Sequence, residues 1–322
     1  MPVPGGTSAS LRGVSAVNAK IVWASGTGGT YLRTTDGGVS WHAAVARGAE
    51  QLDFRGVHAV DEQIAYLLSS GPGGKSRIYK TRDSGSHWTL QFTNPDPRGF
   101  FDAVAFWDSQ HGIVIGDPVE GKFVVLKTVD GGEHWTPQPG PAALSDEGAF
   151  AASNSCLFVM GERQVWFATG GLGAARVFRS EDAGRTWTVT ATPIRNDGSS
   201  AGIFSLAFSD ATHGIAVGGD YTKAADSVHN IAATSDGGRT WREPDGVRPT
   251  GFRSVAAYIP ERRLWIAAGP SGSDVSADGG NSWKPFDTAA YNAIAFTGLA
   301  GWAVGPKGAV ARYEATPARR AP

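Results

Sequence analysis

Between Phe54 and Phe92 short apolar runs alternate with polar breaks: FRGVHAV, QIAYLLSSG, SRIYKTRDSG and HWTLQF. None shows a helical period, and Gly, Pro or Asp bounds each one. Four such runs in succession predict a meandering antiparallel sheet. The order returns along the chain, and its clearest mark closes the third run: TTDGGVSW, TRDSGSHW, TVDGGEHW, SEDAGRTW, TSDGGRTW and SADGGNSW. The aspartates of this box, Asp36, Asp83, Asp130, Asp182, Asp236 and Asp278, recur every 42–54 residues.

The box reads as a folding device. Asp-Gly between two strands favours a tight turn at positive φ, which glycine adopts without steric cost. The carboxylate can accept N–H groups of its own turn, and the leading Thr or Ser can fasten it. Trp41, Trp88, Trp135, Trp187, Trp241 and Trp283 then return on the fourth strand and bury their rings. A second column runs through strand two, with Trp23, Tyr66, Trp166, Trp265 and Trp302, and Ile113 and Ile215 in the remaining units. It has one more member than the box. The last unit, YNAIAFTGLAGWAVGPKGAVARYEA, supplies three strands and no box. Its fourth strand is expected from the other end of the chain, around Pro2 to Gly5. That closure hides the edge strands.

The expected architecture is therefore all-β: a seven-bladed β-propeller of four-stranded antiparallel blades, about 46 residues per blade. The blades are expected near 11–46, 54–93, 100–139, 150–191, 203–244, 252–287 and 291–315 plus 1–5, as a single domain over 1–315. A short tail, 316–322, follows.

Composition narrows the function classes. The 44 glycines and 18 prolines suit a chain of turns. A net charge of −1, from 29 Lys+Arg against 30 Asp+Glu, lacks the basic excess of a duplex-binding protein, so no nucleic-acid partner is expected. No apolar run reaches a membrane-span length. The first residues carry no leader pattern, so the chain is either cytoplasmic or exported with its leader removed. The lone Cys156, in the apolar run NSCLFVM, is expected to be a buried inert thiol. The histidines come from different blades, so no metal site is expected, and no cofactor.

The boxes resemble the Asp-box (BNR) repeat S/T-x-D-x-G-x-x-W of sialidases and other propellers. DSQHGIVIG at Asp108 to Gly116, DATHGIAVG at Asp210 to Gly218 and GWAVGPKGAV at Gly301 to Val310 resemble the photosystem II stability/assembly-factor family of seven-bladed propellers. The resemblance spans about Leu11 to Glu314. It implies the propeller fold, an arginine patch used to dock membrane-protein partners, and an exported or periplasmic location.

In a propeller the first strand is innermost and the box turns lie on the face away from the ligand funnel. Aligning the first strands gives a rim of Arg12, Arg55, Asp102, Ala151, Phe204, Arg253 and Asn292. Arg12, Arg55 and Arg253 are candidates for an electropositive arc that binds a carboxylate, sulfate, phosphate or acidic peptide. Asn292 and Tyr221 are further ligand-binding candidates. Pairing of each arginine with a loop carboxylate is the competing expectation. The same face carries long loops with Glu120, Asp146, Glu147, Lys223 and His229.

Asp102, Asp117 and Asp220 are the catalytic candidates should the funnel hold an enzyme. A glycosidase needs two carboxylates facing each other about 5–10 Å apart. A sialidase reading lacks an Arg-Ile-Pro motif and an assignable Tyr–Glu pair. TGGLGAARVF at Thr169 to Phe178 fails the dinucleotide fingerprint at Arg176, and GPGGKS at Gly71 to Ser76 lacks the first P-loop glycine. The expected function is thus a non-catalytic, monomeric scaffold that binds a protein partner or anionic ligand, peripheral docking to a membrane protein included. The alternative is a carbohydrate-active enzyme, a glycoside hydrolase or polysaccharide lyase, with a carbohydrate ligand.

Overall fold

The computed structural model describes residues 2–313, so the expected tail at 316–322 lies outside them. They form seven antiparallel sheets in a ring. The innermost strands are Leu11–Ala16, Phe54–Ala59, Phe101–Phe106, Leu157–Met160, Ala201–Phe208, Val255–Ile259 and Ala293–Thr297. Blade seven is completed by Pro2–Pro4, which pairs with Ala309–Tyr313 as the closure requires. In blade five the outermost strand shrinks to a single bridge, Ala233 to Arg242. That sheet instead gains two short strands, Glu147–Gly148 and Gly170–Gly171, on its inner side.

All six boxes share one hydrogen-bond pattern. The leading hydroxyl donates to the Asp carboxylate at 2.7–2.9 Å. The same hydroxyl oxygen accepts the amide of the glycine four residues on, at 2.8–3.1 Å. The carboxylate then accepts the amide four residues past itself, at 2.8–3.0 Å. Hydrogen bonding to the charged form holds these carboxyls below the usual range. Asp83 is lowered to about 2, chiefly by the His87 amide, and Asp130 to about 2, chiefly by the His134 side chain.

The box also fastens one blade to the preceding one. Tyr66 Oη donates to Gly131 O at 2.5 Å, Trp166 Nε1 to Gly237 O at 2.8 Å, and Trp302 Nε1 to Gly37 O at 3.0 Å. Tyr31 Oη does the same for Gly85 O at 2.6 Å. Thus the polar tip of an aromatic in one blade ends on a carbonyl of the next blade's turn. The approach is close: a Cβ on Gly38, at φ +87°, would stand 2.7 Å from Trp302 Nε1. Only glycine meets both demands there. Where the column holds Ile113 or Ile215, the neighbouring turns pack on methyl groups instead.

The core is correspondingly a ring of seven clusters, each between two neighbouring blades. The junction of blades six and seven is the sparsest, with Val255, Ala268, Tyr291 and Ala311 buried. Blade seven has no box, so Trp265 has no such turn to meet. A groove of about 300 Å³ opens beside this junction, with Phe286 half exposed in it.

The fastening has a measurable consequence. Thr128 is 2 % exposed and its hydroxyl makes three bonds of the turn. Thr128→Val leaves the Gly132 amide and Asp130 without it and is expected to cost about 1–3 kcal/mol. Urea denaturation checks this, and an unchanged midpoint would refute it.

Candidate funnel site

The inner strands of blades one, two, three and five share a local irregularity. Their pairing slips between Leu11 and Gly13, Phe54 and Gly56, Phe101 and Ala103, and Ile203 and Ser205. The residues inside these bulges are Arg12, Arg55, Asp102 and Phe204. A bulge releases one residue from the ladder and re-aims its side chain, and all four line the central cavity. The inner strands also crowd together: a Cβ on Gly13 would lie 2.8 Å from Ser25 Oγ and 3.1 Å from Val57 N. The following position in blades one and two is therefore glycine.

The cavity holds about 480 Å³ and is lined by Arg12, Arg55, Asp102, Asp117, Ala151, Phe204, Tyr221 and Asn292 among others. Six of the seven aligned rim positions thus meet in one place. Arg253 does not. It is fully buried, donates from Nε to Asp274 at 2.7 Å, and bonds Thr250, Ser271 and the Phe252 carbonyl. The inner strand of blade six begins only at Val255 and pairs with Leu264–Gly269 without a bulge. Nothing turns Arg253 inward, so the three-arginine arc is corrected to two.

Asp220 also departs from the expected set. Its carboxylate accepts from the Thr222 amide at 3.0 Å and the Thr222 hydroxyl at 2.6 Å, and pairs with Lys223 at 3.2 Å. It is outside the cavity lining. The other long-loop charges are consumed locally: Glu147 by Arg176 and Thr169, Glu120 by Arg98, and His229 by Glu243. None of the six box aspartates lines the cavity. Among the described residues no group of three or more His, Cys, Asp or Glu could hold a metal ion.

The two cavity arginines differ. Arg55 bonds Asp53 at 2.8 Å and the Ala151 carbonyl at 3.3 Å. Arg12 has no ion pair among the described residues, and its buried Nε has no hydrogen-bond partner. Burial and the like charge of Arg55 lower its pKa, and Asp53 only offsets part of this. The competing expectation of paired arginines therefore holds for Arg55 and Arg253 and fails for Arg12.

Asp102 is fully buried, and neither carboxylate oxygen meets a hydrogen-bond donor in good geometry. Burial, then the neighbouring Asp117, push its carboxyl well above the usual range; Arg55 and the nearby amides of Ala151 and Asp117 offset only part. Asp117 Oδ1 accepts the Ala149 amide at 3.0 Å, while burial raises it to about 6. The two titrate as a pair, as adjoining carboxylates do. Both belong to blade three, on neighbouring strands, so they stand side by side instead of facing across the mouth.

The opposite wall is aromatic, and only Phe204 and Tyr221 were expected there. Phe150 stacks on Phe204 with centroids 3.9 Å apart and planes at 9°. Phe252 meets Phe204 edge-on at 4.7 Å, Tyr221 approaches at 6.1 Å, and Phe100 lines the same space. The signal was in the sequence as a glycine followed within two residues by phenylalanine in four blades: GFFD, GAFA, GIFS and GFRS.

No known protein family matches this sequence, and no curated protein does. The fold, by contrast, has many counterparts among solved structures. A structure of YCF48 bound to a D1 peptide superposes with a TM-score of 0.70 at 16 % identity, over 98 % of this chain and 97 % of that one. YCF48 from Cyanidioschyzon merolae gives 0.65 at 19 % identity, over 97 % and 98 %. The GH74 enzyme of Niastella koreensis gives 0.63 at 16 % identity, over 94 % of this chain and 51 % of that one. The chain is a seven-bladed propeller of YCF48-like fold. At these identities the likeness concerns architecture alone.

Two outcomes follow for the buried charges. A carboxyl whose folded pKa is raised contributes stability that is complete below its unfolded pKa of about 4. That contribution is lost as pH rises through the folded pKa, about 6 for Asp117 and higher for Asp102. Asp102→Asn is therefore expected to stabilise the fold by about 1–3 kcal/mol at pH 8 and much less at pH 4. Denaturant midpoints at the two pH values check the sign. Arg253→Ala strands Asp274, which is fully buried, and should cost about 3–5 kcal/mol.

Proposed function

We propose that this propeller is a non-catalytic binding scaffold whose funnel mouth recognises an anionic group on a protein partner. The observation that carries this is Arg12: a partly buried guanidinium without an ion-pair partner among the described residues, beside Arg55, in a cavity. Guanidinium donors left over in a desolvated site favour carboxylate or phosphate geometry. YCF48, of the same fold, holds a D1 peptide, which supports a protein partner in kind. The arginine arc expected for docking a membrane protein narrows here to Arg12 and Arg55.

One observation favours the carbohydrate-active alternative: Asp102 and Asp117 lie at the cavity with a shared, raised titration. Their side-by-side placement on one blade argues against it, since glycoside hydrolysis needs carboxylates on opposite sides of the bond. No turnover of acidic or neutral oligosaccharides is expected, and hydrolysis that disappears in Asp117→Asn would reverse the choice.

The binding reading is tested with a short fluorescent acidic peptide. Arg12→Ala should weaken binding about tenfold or more, consistent with loss of a charge-assisted bond. Circular dichroism should remain unchanged, because Arg12 holds no structural ion pair. Affinity should fall with added salt. Equal affinity in Arg12→Ala and wild type would refute the assignment.

A further inference from the structure

The order of blades around the ring fixes which groups face each other. Arg12 and Arg55 come from blades one and two, Asp102 from blade three, Phe204 from blade five, and Asn292 from blade seven. In a ring of seven, the diameter from blade five ends between blades one and two. The phenylalanine wall therefore lies on the far side of the ring axis from Arg12, while Arg55 reaches over to the Ala151 carbonyl beside Phe150. Asp102 and Asn292 flank that axis on its two sides.

This wall is built. Phe204 is 3 % exposed and Phe252 4 % exposed, and Phe150 completes a stack with an edge-on third ring. Tyr221, half exposed at the rim, extends it outward. Offset and edge-on contacts are the arrangements that aromatic rings favour. Apolar surface of this kind, across the axis from a cation without an ion pair among the described residues, wants a ligand with two unlike ends.

Asp102 borders the cavity as a fully buried carboxyl, with the amides of Ala151 and Asp117 beside it. Asn292 is already fastened on the far side, its Nδ2 donating to the Leu11 carbonyl at 2.7 Å.

In an extended peptide successive side chains point to opposite sides. Two neighbouring residues of one segment would therefore reach two opposite walls at once. We propose that the funnel receives an acidic residue and an aromatic residue at adjacent positions of an extended segment of the partner. The carboxylate lies on Arg12 and Arg55, and the ring on Phe150, Phe204 and Phe252. This rests on the anion-binding reading above and adds the aromatic neighbour and the spacing.

The test uses the full chain and four capped hexapeptides, with central Glu-Phe, Gln-Phe, Glu-Ala or Glu-Gly-Phe, titrated by calorimetry at pH 7. Glu-Phe is expected to bind at least tenfold more tightly than each of the others. Arg12→Ala should abolish the preference for Glu over Gln while keeping that for Phe over Ala. Phe204→Leu should do the reverse, and Phe150→Leu, at a half-buried position, repeats that arm if Phe204→Leu fails to fold. Equal affinity for Glu-Phe and Glu-Ala would overturn the aromatic assignment and leave the anion reading standing. Equal affinity for Glu-Phe and Glu-Gly-Phe would overturn the adjacency. Equal affinity for Glu-Phe and Gln-Phe, or no binding of any peptide at millimolar concentration, would overturn both this inference and the reading it rests on.

Discussion

The ring depends on a contact between neighbours: an aromatic tip in one blade hydrogen-bonded to a turn carbonyl of the next. Tyr66 to Gly131, Trp166 to Gly237 and Trp302 to Gly37 are three instances. Each aromatic buries a large apolar body and also satisfies a polar group that would otherwise be stranded. The turn must present its carbonyl at a fixed place, which is what the Thr/Ser–Asp–Gly bonding achieves. Trp302 to Gly37 joins the last blade to the first, so the same contact that spaces the blades also closes them. Blade seven has no box, and the junction it shares with blade six holds the smallest cluster and a groove.

This division of labour frees the opposite face. With the blades held from the box side, the funnel end of the inner strands can carry bulges, which weaken pairing and turn single side chains into the mouth. Groups collect there that a stability-driven core would exclude: a cation without an ion pair among the described residues, and a fully buried carboxyl. Asp102 is held in a poor environment for its charge because blade three is anchored elsewhere, by Trp135 and the Thr128 turn. Burial of such groups costs stability locally and makes sense where a ligand satisfies them.

The arginines illustrate how the same residue type serves two ends. Arg55 and Arg12 sit inside bulges and reach the mouth. Arg253, aligned with them in sequence, sits ahead of a regularly paired strand and turns into its own blade to neutralise Asp274. The carboxylates divide similarly: Asp220 is satisfied by Thr222 and Lys223 at the loop, whereas Asp102 is buried without a hydrogen bond of good geometry. Charge type alone does not distinguish these cases.

The fold was legible because its causes are local and repeated. A Thr/Ser, an Asp, a Gly and a Trp at fixed spacing specify a turn wherever they occur, and six copies with a seven-membered column in strand two specify the number of blades. Closure by Pro2–Pro4 followed from counting strands. The site was legible only as far as alignment of the inner strands carries: Arg12, Arg55, Asp102, Phe204 and Asn292 line one cavity, while Arg253 and Asp220 do not. The phenylalanines at 100, 150 and 252 belong to positions just before the inner strands, which the alignment skipped. Whether a strand bulges depends on how closely its neighbours crowd at the axis, and the protonation of Asp102 depends on what seven separate segments leave around it. Those are properties of the assembled ring, because burial and field at a point sum over residues far apart in the chain.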